Sequence, residues 1–154
     1  MLILSCGIVC SLAAQEATRI TVAVIDLNAD DLNASAVVTL SNTVRKELLQ
    51  SGQYTVVDRS NMEALLKEQG FQSSGICNDL ACMVKVGNML GVQKMIGGNI
   101  GKLGSKYIVD LQIIDVESSR IDKLESEDYV GPVEELDSAL RNITRRLIGT
   151  QKTQ

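Results

Sequence analysis

Arg19 to Asp26, RITVAVID, is followed by the polar, acidic stretch LNADDL (27–32) and later by Tyr54 to Asp58, YTVVD. The first run is β-branched and apolar, with no helical stripe, which marks a central strand buried on both faces. Between the two runs, Val37, Leu40, Val44 and Leu48 recur at helical spacing up to Gly52, a residue suited to a helix C-cap. Strand, helix and strand of this kind make a βαβ unit, so the first two strands are expected to be parallel. LNADDL is then the strand-to-helix loop.

Outward from this unit, Ser60-Asn61-Met62-Glu63 fits a capping box, with Ser60 as the cap and Glu63 reaching back. It predicts a helix that turns Met62, Leu65 and Leu66 inward and stops near Gly70. Gln72–Gly75 reads as a polar turn, and Asn78 or Asp79 as the cap of a helix burying Met83, Val86 and Leu90 before Gly91. Strands are expected at Lys94–Ile100, Lys106–Val116 and Arg120–Tyr129, joined by turns at 101–105 and 117–119. Pro132 is placed as the first residue of a last helix, with Glu134 and Glu135 in its first turn and Arg145 and Arg146 in its last, all favourable to the helix dipole. Val133, Leu136, Leu140, Ile143 and Leu147 form its apolar stripe. The predicted order is β-α-β-α-α-β-β-β-α, an α/β domain whose mixed sheet ends in an antiparallel meander.

Met1 to Ala14, MLILSCGIVCSLAA, is uncharged and apolar. About 20 residues are needed to span a bilayer as a helix, so this run is too short and reads instead as a signal-peptide core. Small residues at Ser11, Ala13 and Ala14 put cleavage before Gln15 or one residue earlier. The predicted layout is a signal peptide over 1–14 and a single domain over 15–154, with no transmembrane span in the mature chain. The segment lacks the usual basic start. A lipid anchor on Cys6 or Cys10 is the alternative and is disfavoured, because Val9 is bulky before Cys10 and a Cys6 anchor leaves apolar sequence in the mature protein.

Export bears on the remaining cysteines. Cys77 and Cys82 are the only thiols after the leader, and an even pair in an exported protein reads as a disulfide. The spacing C-x4-C suits neither a zinc knuckle nor a redox C-x-x-C site. With Asn78 as the cap, the two cysteines occupy the positions that a hydrophobic staple brings together.

Composition narrows the function. The chain of 154 residues carries no His, a net charge of −4 and only 3% aromatics. Without His the commonest general base, metal ligand and pH switch are missing. No basic stripe exists for a nucleic acid backbone, and base stacking lacks aromatic platforms. Gly97, Gly98, Gly101 and Gly104 do not make a phosphate loop: three residues, not four, separate Gly97 from Gly101-Lys102, and Leu103 replaces Ser or Thr after Lys102. These glycines are read as allowing close strand packing and a tight turn. Asp26, Asp30 and Asp31 lie beyond the first strand's carboxyl end, where α/β sheets place ligands, but lack the order of a calcium loop. A solvated, helix-capping loop is the favoured reading, with Arg59 pairing one of the acids structurally. No catalytic, cofactor or metal site is expected; the site residues are the disulfide Cys77 and Cys82.

ITVAVIDLN at the start, SGQYTVVDRSNMEALLKEQGFQSSG, CNDLACMVKVGNMLGVQKMIGGNIGKLG and YIVDLQIIDVESSRI follow one another in an order that resembles the CsgG-like family of curli assembly and transport components. The resemblance spans about 19–129. It implies a Rossmann-like three-layer periplasmic domain, related to the folds of LpoB and of the TolB amino-terminal domain, that binds envelope protein partners and is able to self-associate. A location in the periplasm or outside the cell, with outer-membrane association, goes with it. The chain departs from CsgG in showing no pair of long hairpins with alternating lipid-facing residues, so pore formation is not carried over. The expected function is a non-catalytic binding or assembly module; the alternatives are a curli-type secretion subunit and an LpoB-like activator of a peptidoglycan synthase.

Overall fold

A computed structural model describes residues 18–70, 77 and 79–150. The leader 1–14 with Cys6 and Cys10, the turn 72–75 and the cap at Asn78 lie outside the described residues. The elements run β1 (Ile20–Val24), α1 (Ala34–Ser51), β2 (Tyr54–Val56), α2 (Arg59–Glu68), α3 (Leu80–Leu90), β3 (Lys94–Leu103), β4 (Lys106–Asp115), β5 (Arg120–Val130), a 3-10 turn (Val133–Glu135) and α4 (Leu136–Leu147). One five-stranded sheet has the order β2-β1-β3-β4-β5. β1 is parallel to both β2 and β3, and β3-β4-β5 is the antiparallel meander.

Alternation along β1 explains its apolar sequence. Val22 and Val24 face one side and join α1 and α4 in a core with Val44, Leu48, Leu140 and Ile143. Ala23 faces the other side, where Met62 of α2 and Met83 and Val86 of α3 close a second core with Met95 and Ile114. The molecule thus has three layers, with helices on both faces of the sheet. Gly52 and Gly91, which end α1 and α3, adopt the left-handed conformation at φ 70° and 66°.

Two helix starts differ from the sequence reading, and at a third the structure selects one of the two caps it offered. The cap of α2 is Asp58, whose carboxylate accepts from the Ser60 and Asn61 amides at 2.9 and 3.2 Å. A charged cap outcompetes the Ser60 hydroxyl two residues on, and Glu63 is released to pair with Arg59 at 2.7 Å. Asp79 caps α3, accepting from the Cys82 amide at 2.8 Å. Cys77 therefore stands two residues before the cap, not one. Pro132 is extended and precedes the 3-10 turn, so it introduces the last helix from outside.

The β3–β4 hairpin is tighter than expected, pairing through Leu103↔Lys106 with only Gly104 and Ser105 in the turn. On the far side, β5 holds one extra residue: Ile114 pairs with Ile121 and Ile113 with Lys123, leaving Asp122 as a bulge. Asp122 is used there, sharing the Lys94 ammonium with Asp115.

Candidate functional site

The carboxyl end of β1 leaves the ladder in a controlled way. The Ile25 amide donates to Ile96 O at 2.9 Å and the Asn28 amide to Gly98 O at 3.0 Å, so Asp26 and Leu27 bulge opposite one residue of β3. Leu27 turns into the core, its amide donating to the buried Ser41 hydroxyl at 2.9 Å. Asp26 turns outward between two arginines. Arg45 of α1 donates to Asp26 Oδ1 at 2.8 Å and to the Val24 carbonyl at 2.7 Å. Arg59, first residue of α2, meets Asp26 Oδ2 at 2.8 Å. Burial alone would raise the Asp26 carboxyl, but the hydrogen bonds and charges of Arg59 and Arg45 outweigh it and hold the group below its ordinary value.

This knot ties β1, α1 and α2 together. It absorbs the acid that sequence position offered to a cation, while Asp30 and Asp31 remain exposed on the loop. The expected Arg59 pairing is present; Arg45, deep in α1, was the partner that spacing did not single out. The glycines of β3 act as packing positions. A Cβ on Gly98 would overlap the Asp110 carbonyl oxygen of β4, and one on Gly97 would come within 2.6 Å of Met83 Cε. In the structure Cys77 is bonded to Cys82, with Cα atoms 5.3 Å apart, linking the approach to α3 with its first turn.

The surface that remains open is a sheet face. α4 and α1 cover one side of the meander, through Tyr107, Val109, Leu111 and Ile113. On the other side α3 reaches only as far as Gly97, Met95 and Ile114. Beyond it, no helix of the described residues covers the cross-strand rows Leu103–Lys106–Val130, Gly101–Ile108–Asp128 and Asn99–Asp110–Ser126. Among the described residues, four of the five exposed large hydrophobics stand on this side: Leu103 (65%), Ile121 (46%), Leu124 (56%) and Val130 (69%). The fifth, Leu49, lies on α1. At the inner end of the open face is a recess of about 260 Å³, bounded by Ile25, Asn28, Met83, Asn99, Asp110, Gln112 and Leu124 and reached by Cys77. It sits beside the carboxyl end of β1, and open α/β sheets place ligands outside the carboxyl ends of their strands. Sequence reasoning missed this face because covering depends on where helices land. In the structure half-buried Glu125, Glu127 and Tyr129 alternate along β5 with exposed Leu124, Ser126, Asp128 and Val130.

No helix of the described residues is long and apolar enough to cross a membrane. No group of three or more acidic, Cys or His side chains able to hold a metal ion occurs among them.

Several solved structures share the fold. The LpoB C-terminal domain from Salmonella enterica is 13% identical, with a TM-score of 0.60 over 75% of this chain and 87% of that one. Lipoprotein GNA1162 from Neisseria meningitidis is 12% identical, with a TM-score of 0.62 over 87% and 99%. The PelC dodecamer from Paraburkholderia phytofirmans is 11% identical, with a TM-score of 0.52 over 88% and 90%. At these identities the likeness concerns the fold alone. None of the curated proteins matches the chain in sequence. Residues 13–108 match the family described as curli production assembly/transport component CsgG, a span that ends in β4, short of the 129 expected from the sequence. That span is more than half of the 154 residues, and the chain belongs to the CsgG family.

Proposed function

We propose that the chain, freed of residues 1–14, is a non-catalytic binding and assembly module of the cell envelope, and that its partner docks on the open face of the β3-β4-β5 meander. The observation that carries this reading is the gathering of Leu103, Leu124 and Val130, with Ile121 at the margin, on the part of the sheet face that no helix of the described residues covers. Large apolar side chains scattered singly mean little, but several on one face mark an interaction surface. Family membership supports an envelope assembly role. The strongest polar cluster, around Asp26, is saturated by arginine and holds the scaffold together.

The test is site-specific photocrosslinking in the native envelope, with the photoreactive residue at Leu124 or Val130 and, as control, at Leu49. A defined adduct from 124 and 130 and none from 49 is the expected result. Equal labelling from all three positions, or none, would sink the docking face. Sedimentation of the same protein reports whether the partner is a second copy, a reading favoured by the dodecameric state named for PelC. Export is checked separately: amino-terminal sequencing of the native protein is expected to begin at Ala14 or Gln15, and a cytosolic product retaining Met1 would overturn it.

A further inference from the structure

The acids of the described residues follow a rule with one exception. Asp26, Glu47, Glu63, Asp115, Glu125, Glu127 and Asp137 are at least partly buried, and each pairs with a Lys or Arg. Asp110 is of intermediate burial too but has no cation within ion-pair distance among the described residues; its side-chain partner is the exposed Ser126 hydroxyl. A carboxylate withdrawn from water without a counter-charge is costly unless something pairs it. Asp110 lines the recess at the inner end of the open face.

The surroundings of Asp110 favour a particular ligand. Asn99 and Gln112, its neighbours across and along the sheet, add amide groups, while Met83 and Leu124 supply apolar walls. Asp26, which also lines the recess, is matched with Glu63 by Arg45 and Arg59, and Lys106 is matched by Asp128. Asp110 therefore sets the sign of the recess. A volume of about 260 Å³ falls below the roughly 300–1,000 Å³ of ordinary small-molecule sites. It suits a single inserted side chain.

We propose that the recess takes a lysine or arginine side chain of the partner polypeptide, its aliphatic stem against Met83 and Leu124 and its cationic head on Asp110. Long basic side chains combine those two chemistries, an apolar stem with a charged tip. The head completes the ion pair that the fold leaves open, and flanking apolar residues of the same partner segment cover Leu124 and Val130. This rests on the docking face proposed above and specifies the partner's chemistry there.

Two arms test it. In the first, the isotope-labelled mature chain is titrated with N-acetyl-lysine methylamide, N-acetyl-arginine methylamide and the neutral N-acetyl-norleucine methylamide, and amide signals of Asn99, Asp110 and Ser126 are followed. The cationic probes are expected to shift them saturably and to bind about tenfold or more tightly than norleucine, as charge-assisted contacts do relative to neutral ones. Asp110→Asn keeps an acceptor for Ser126 and is expected to erase that difference; Ser126→Ala keeps the charge and is expected to preserve it. Absence of saturable shifts, or lysine binding unchanged by Asp110→Asn in a well-dispersed spectrum, overturns the proposal. In the second arm, Asp110→Asn is expected to cut the crosslinked adduct from Leu124 about fivefold or more. An undiminished adduct leaves the docking face standing and overturns the basic side chain. Selective lysine binding without any adduct supports the recess as a cation site and overturns the docking face.

Discussion

Arg59, the first residue of α2, reaches Asp26 just past the end of β1 at 2.8 Å, while Arg45 of α1 holds the other oxygen of the same carboxylate at 2.8 Å. One acid thereby fixes where a strand and two helices on opposite faces of the sheet meet, next to the recess. The arrangement explains why LNADDL can be polar and still begin at a fixed point: Asp26, the acid just before it, is held inside, and Asp30 and Asp31 are left to water.

Replacing that acid should cost more than an exposed ion pair would. Asp26→Asn leaves Arg45 buried without its counter-charge, and removing one member of a buried pair is worth about 3 kcal/mol or more. Urea unfolding of the variant is expected to show a lower midpoint at unchanged slope. A loss below about 1 kcal/mol, the range of exposed pairs, would place the knot outside the structural core.

The same knot predicts a pH dependence with a definite sign. Asp26 is held below its ordinary value of 3.8, so its contribution to stability is fully present above that pH and is lost as pH falls through the lower folded value. The stability gap between the wild type and Asp26→Asn should therefore be constant from about pH 7 to pH 5 and close in more acid solution. Lys94, whose charged form is stabilised by Asp115 and Asp122 against the opposing effect of burial, behaves the opposite way. Its contribution holds below 10.5 and is lost as pH rises through a higher folded value. Unfolding midpoints across pH read both limits.

What the sequence disclosed and what it withheld divide along physical lines. The β1 run and the α4 stripe were legible because both pattern and burial are local: every residue of ITVAV meets a packed layer or a neighbouring strand, and Leu136, Leu140, Ile143 and Leu147 bury as their spacing demands. Arg59 was legible because a βαβ unit brings both strand ends to one edge. Arg45 was not, since its burial depends on the rotation of α1 against the sheet. The α2 cap was misplaced because Asp58 and Ser60 are both good caps, and only the chain's exit from β2 decides between them. The open face was hidden for a larger reason. It exists because α3 ends over Gly97 and Met95, and no spacing within β4 or β5 reports that.

Two glycines of β3 should respond in opposite ways to the same change. At Gly98 a methyl group would collide with the backbone of Asp110 and the Leu111 side chain, and backbone cannot yield without parting β3 from β4. Gly98→Ala is expected to destabilise by about 1–3 kcal/mol, the usual cost of overpacking. At Gly101 the nearest atom is Asn99 Nδ2 at 3.8 Å, ordinary contact. Gly101→Ala should be neutral or stabilising by up to roughly 1 kcal/mol, through the lost freedom of the unfolded chain. Thermal melts of the two single variants decide it, and an equal loss in both would refute the packing role assigned to Gly98.

The last prediction concerns Cys77 and Cys82. Five residues apart within one helix they would point about 140° from each other and could not bond, at 3.6 residues per turn. Asp79 resolves this by ending the helix between them: Cys77 lies before the cap, and Cys82 is the third helical residue, its own amide held by the Asp79 carboxylate. We propose that the bond persists in the exported protein and clamps the chain's approach to α3 beside the recess. The closed loop is small, so constraint of the unfolded chain supplies about 2 kcal/mol in the chain-entropy account. The reduced mature protein, and Cys77→Ser with Cys82→Ser, should fold and melt roughly 5–10 °C lower. Because Asp79 still caps the helix, α3 itself should survive, and far-ultraviolet dichroism of the variant should match the wild type. Thiol titration of the native mature chain is the direct measurement: no reactive thiol is expected without reductant, and two freely titrating thiols would show the bridge to be absent.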